Sequence, residues 1–76
     1  MFEHLQDYTA DARVSTVDLG GVTVGAFRYE TMVFGGQFDD YCMRYRTTGQ
    51  AREGHRETLE KVLNAEAGFY TTETPN

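Results

Sequence analysis

A chain that does chemistry needs a nucleophile beside a base, a group of metal ligands or a loop that cradles phosphate. This sequence offers one cysteine, two histidines and one adjacent pair of carboxylates as raw material. Only Arg44 stands near Cys42 in sequence to depress its pKa, and a cysteine in mid-strand usually serves as a small apolar filler. His55 falls on the apolar side of a helical pattern, next to Gly54. No second His, Cys or carboxylate motif accompanies it, so it is expected as a buried histidine hydrogen-bonded to a sheet or loop. His4 stands alone in an acidic stretch. Asp39 and Asp40 supply too few oxygens for Mg²⁺ or Ca²⁺ and suit a turn. Gly20-Gly21 and Gly35-Gly36 belong to no phosphate-loop fingerprint. The expectation is a protein that is not an enzyme, with no catalytic residue, no cofactor and no metal.

The elements that would position these residues are few. The chain has 76 residues, 39% of them apolar, which is room for one domain with a small core. Twelve acidic residues against seven basic give a net charge of −5, which argues against a general polyanion binder. A single cysteine excludes an internal disulfide framework. No apolar run is long enough to cross a membrane, and no secretory signal is visible, so a soluble intracellular protein is expected.

Residues 1–12 carry Glu3, Asp7 and Asp11 with no Lys or Arg, and Phe2, Leu5 and Tyr8 recur at helical spacing; an N-terminal arm or short helix is expected there. Residues 13–19 are rich in β-forming side chains, and Gly20-Gly21 suits a hairpin turn. Residues 22–34 read as a long second strand, with a bulge or close contact at Gly25. Residues 35–39 form a loop and 40–46 a third strand. Thr47 and Gln50 stand at capping-box spacing. From there Ala51, His55, Thr58, Leu59, Val62 and Leu63 mark the apolar side of a helix to about residue 65, closed by Gly68. Residues 67–76 form a polar tail. The predicted fold class is α+β: a three-stranded antiparallel β-meander with one C-terminal helix packed on one face, β-β-β-α in two layers. The domain is placed at residues 13–66.

A five-residue loop at 35–39 sets Tyr29 opposite Tyr45, Glu30 opposite Arg44 and Thr31 opposite Met43. Phe27, Tyr29, Val33, Tyr41, Met43 and Tyr45 then share the face that the helix covers. Arg28, Glu30, Met32, Phe34, Cys42, Arg44 and Arg46 collect on the other. One helix covers one face only. The second face is left to the chain termini, to a second subunit or to a partner, and these seven residues are the candidate partner surface. Arg28, Arg44 and Arg46 with Tyr29, Tyr41 and Tyr45 also resemble a sheet that reads RNA, but the register divides the two sets between opposite faces. Glu3, Asp7, Asp11, Asp18, Asp39 and Asp40 could instead mimic a nucleic acid.

Three segments, Tyr29 to Gly36, Arg44 to Thr47 and Ala51 to His55, together resemble a group of small proteins from bacteriophages of actinobacteria. There a Glu-Thr-Met-Val-Phe strand precedes an Arg-Tyr-x-Thr strand end and an Ala-x-x-Gly-His helix start. The likeness spans roughly residues 28–63 and carries no activity with it. It implies a phage gene product, placed in the cytoplasm of the infected host or in the virion. The expected function is contact with a host or phage protein, with inhibition of a host protein as one form. The alternatives are a virion component, a second copy of the chain as partner, and nucleic-acid binding or mimicry.

Overall fold

A computed structural model of the chain describes residues 2–20 and 27–68. Four strands precede one helix: β1 (Leu5–Tyr8), β2 (Arg13–Asp18), β3 (Tyr29–Phe34), β4 (Cys42–Tyr45) and α1 (Thr48–Glu66). The strands pair antiparallel in the order β1-β2-β3-β4, and α1 lies across one face. The class is α+β, as expected, but the sheet has four strands rather than three.

The added strand comes from the segment expected as an arm or short helix. Leu5 pairs with Thr16 and Asp7 with Val14, so these two side chains point toward α1 while Gln6 and Tyr8 point away. Phe2 misled the helical spacing. It lies outside the strand and packs on Tyr29, with ring centroids 4.9 Å apart.

A two-residue turn at Gly20-Gly21 would pair Leu19 with Val22. Instead Asp18 pairs with Tyr29, and the Leu19 N–H donates to the Arg28 carbonyl at 2.7 Å. The register therefore excludes a two-residue turn at this point; Gly20 stands in a turn, and Gly21 lies outside the described residues. β3 begins at Tyr29. The expected strand residues Val22, Val24 and Ala26, the bulge at Gly25, and Phe69 and Tyr70 of the tail lie outside the described residues.

The β3–β4 register is as expected: Tyr29 faces Tyr45, Glu30 faces Arg44 and Thr31 faces Met43. Its loop fits because Gly35 adopts φ 90°, where a Cβ would stand 2.7 Å from the Asp11 carbonyl oxygen. Asp39 accepts the Gly35 N–H at 2.6 Å. The helix starts at the expected box, with Gln50 N–H donating to Thr47 Oγ1 at 3.1 Å and the Gln50 side chain accepting the Thr47 N–H at 3.2 Å. It ends with Gly68 at φ 83°, whose N–H reaches the Ala65 carbonyl. Its last residue also clasps the first hairpin: the Glu66 carboxylate accepts the N–H groups of Ala10 at 3.2 Å and Asp11 at 3.1 Å, and the Thr9 hydroxyl.

The core is divided. Ala12, Val14, Val33 and Val62 form one apolar cluster, flanked by Phe38, Tyr41 and Leu59. Phe2, Tyr29 and Ala51 form another, flanked by Leu5 and Tyr45. Thr16, Thr31, His55 and Thr58 are also buried between helix and sheet. Met43, expected in the core, is 46% exposed because it sits on an edge strand at the margin of the helix's reach.

Gly54 sets the helix close to β4: a Cβ there would fall 2.1 Å from the Tyr45 hydroxyl oxygen. Alanine at this helical site would gain ~1 kcal/mol of propensity, whereas overpacking typically costs ~1–3 kcal/mol. Gly54→Ala is therefore expected to lower the thermal midpoint, and a rise would show that Tyr45 yields freely.

Candidate interaction surface

Among the described residues, one cluster with the residue types of a catalytic relay lies between helix and sheet. His55 on α1 joins three strands. Its Nε2 stands 2.7 Å from Asp7 Oδ2 on β1, and its Nδ1 stands 2.7 Å from Thr16 Oγ1 on β2. Thr16 in turn shares a hydrogen bond with Thr31 on β3. A carboxylate only accepts, so Nε2 carries a proton. In the neutral ring Nδ1 then accepts from the Thr16 hydroxyl, which accepts from Thr31. In the imidazolium the chain reverses, with Nδ1–H donating to Thr16. Both states are satisfied. The order Asp–His–Thr is that of a nucleophile relay, yet Thr16 is 0% exposed and no substrate can reach its hydroxyl. The arrangement braces the helix on the sheet. The sequence placed His55 among buried histidines, but missed Asp7 as its partner because the surrounding segment read as an arm or short helix rather than a strand.

Tyr45 completes this layer. Its hydroxyl is buried beside Thr31 and Thr58 without a well-formed hydrogen bond, and desolvation is the main cause that raises its pKa.

The other face of the sheet has no covering layer among the described residues. Its side chains fall in rows. Tyr8, Arg13 and Phe34 make one row. Gln6, Ser15, Met32 and Cys42 make the next, and Val17, Glu30 and Arg44 a third. Tyr8 is 73% exposed and Phe34 39%. The Arg13 guanidinium lies 4.3 Å from the centre of the Phe34 ring, a cation–π contact between neighbours in the row. Glu30, Met32, Phe34, Cys42 and Arg44 therefore share the open face as expected from their alternation. Arg28 and Arg46 stand at its end: Arg28 pairs with Asp18 at 3.0 Å, and Arg46 lies over the Phe27 ring at 5.0 Å. Tyr8 was missed as a member because its place in the row needs β1, and Arg13 because its place beside Phe34 needs the β2–β3 register.

Comparison with known protein families, curated proteins and solved structures finds no match.

The charges on this face are largely matched. Glu30 Oε2 takes the Arg44 Nε at 3.0 Å and the Cys42 thiol at 3.1 Å. Burial, then the bond to Glu30, pushes the Cys42 thiol above its ordinary pKa. The Arg28 guanidinium, then the Gly20 N–H, holds the Asp18 carboxyl below the usual range. The tyrosines of the RNA-like pattern are not on this face: Tyr29 is buried under the helix, and Tyr41 and Tyr45 are half-buried on that side. Of the acids that could mimic a nucleic acid, Asp7, Asp18 and Asp39 are engaged by His55, Arg28 and Gly35. No described helix is long and apolar enough to cross a membrane.

Two outcomes follow. Thr16→Val keeps shape but leaves His55 Nδ1 and the Thr31 hydroxyl short of a partner, so urea denaturation should show a loss of about 1–3 kcal/mol. Less than a few tenths would mean the chain of hydrogen bonds carries no weight. Cys42 should alkylate more slowly at neutral pH than an unhindered thiol, since only the thiolate reacts. Glu30→Gln should speed that labelling by removing the neighbouring negative charge, and an unchanged or slower rate would contradict the assignment.

Proposed function

We propose that this protein acts by contact with another protein through the open face of its sheet. The observation that carries the proposal is the composition of that face. Interface cores are enriched in aromatic residues, Met and Arg and depleted in Lys, Glu and Asp. Tyr8, Arg13, Met32, Phe34 and Arg44 lie in adjacent rows there, with Glu30 the acid in those rows. The chain's one lysine is on α1, stacked over Phe38 and Tyr41. The exposed side of α1 has the opposite character: Arg56 bridges Glu53 and Glu60 in solvent. In keeping with the likeness to small phage proteins, the partner is taken to be a host or phage protein.

The contact is tested by affinity capture from the native cell, followed by titration of the captured protein. Tyr8→Ala with Phe34→Ala should weaken binding at least tenfold, since central aromatic anchors carry ~2 kcal/mol or more each. Arg56→Ala on the helix should leave it unchanged. Equal binding by the face variant, or loss on changing Arg56, would refute this surface.

A further inference from the structure

We propose that β4 is a self-pairing edge, through which two copies of this chain join antiparallel into one continuous sheet. β4 lies at the margin of the sheet. Its ladder to β3 runs through Tyr41, Met43 and Tyr45: the Val33 N–H reaches the Tyr41 carbonyl at 3.0 Å, and the Arg28 N–H reaches that of Tyr45 at 2.9 Å. By the alternation of an antiparallel ladder, the N–H and C=O groups of Cys42 and Arg44 point to the open edge. That edge is a template for another strand.

The order of charge selects the occupant. The segment begins with Asp39 and Asp40 and ends with Arg44 and Arg46. Antiparallel pairing with itself brings the acidic start of one copy beside the basic end of the other. Asp40 and Arg46 have no ion-pair partner among the described residues, and both are exposed. A two-fold axis at Met43 sets Cys42 opposite the partner's Arg44, Tyr41 opposite the partner's Tyr45 and Asp40 opposite the partner's Arg46. The outward backbone groups then meet in two hydrogen-bonded pairs. An axis at Arg44 would oppose two guanidinium groups, which is unfavourable. An axis at Cys42 would leave only that residue of each β4 facing the other. The Met43 axis also covers Met43, which borders an open notch of about 390 Å³ shared with Phe27 and Tyr45.

Two short edges bury much less than the roughly 1,200 Å² of a stable interface, so the dimer should be weak, concentration-dependent and weaker in salt. The pairing does not depend on the open face having a partner.

Sedimentation equilibrium of the full chain over a wide concentration range tests it. The expected result is a reversible monomer–dimer equilibrium at low salt. Arg46→Asp and Asp40→Asn should each weaken it severalfold; asparagine tolerates the positive φ of Asp40, 73°. Arg44→Pro removes an outward N–H that the β3 ladder does not use, and should abolish the dimer while circular dichroism stays unchanged. If that proline unfolds the chain, the Arg46 and Asp40 variants carry the test. A strict monomer at every concentration would overturn the proposal, showing that a short, arginine-bearing edge serves to block pairing. So would a dimer that resists these changes but is lost on Phe34→Asp, which would place the contact on the open face.

Discussion

The structure depends on a hydrogen-bonded layer in the middle of its core. The fully buried side chains are small, Val14, Val33, Thr16 and Thr31, and the larger apolar groups are split into two clusters. His55 joins helix and sheet in the buried polar layer. It holds β1 through Asp7 and β2 through Thr16, and Thr16 holds β3. Two of these bonds come from neutral hydroxyls and one from a carboxylate that is half in solvent. The His55, Thr16 and Thr31 side chains are each paired, while the Tyr45 hydroxyl beside them is not; losing a further partner here would cost more than an apolar core of the same shape.

This layer explains what could be read from the residues and what could not. The helix was legible because Thr47, Gln50 and Gly68 are local signals that act within one turn. The β3–β4 register was legible because the Gly-rich loop is short and Glu30 meets Arg44 across it. β1 was not. Its inward positions are Leu5 and Asp7, and an inward aspartate looks like surface until His55, far along the chain, is seen to hold it. The β2–β3 register was not legible for a similar reason: two glycines mark where a chain can reverse, while the pairing of Val14 with Val33 sets how the strands align. Most of the open face could be listed from alternation in β3 and β4, whereas Tyr8 joins it only once the first strand is in place and Arg13 only once β2 is in register with β3.

The same topology produces both surfaces. Among the described residues, a single helix over four strands leaves one face bare and both margins unpaired. On the bare face, aromatic rings lie under or beside guanidinium groups, so apolar area is presented in a rigid, partly charged form that resists indiscriminate sticking. At the β4 margin the polarity runs lengthwise, acid to base. If two sheets join there about an axis normal to them, their bare faces come to lie on the same side, and the aromatic rows of both are presented together.

The brace at His55 also acts as a vernier for the helix. Apolar contacts such as those of Val62 and Ala51 are non-directional and do not by themselves forbid a slide of one turn, about 5.4 Å. A slide of that size would carry the imidazole past Thr16 into the neighbourhood of Val14 and Val33, stranding two ring nitrogens among methyl groups. The axial setting of α1 is thereby pinned at two points, His55 in mid-helix and Glu66 at its end, and a slide along the axis must break the bonds at both.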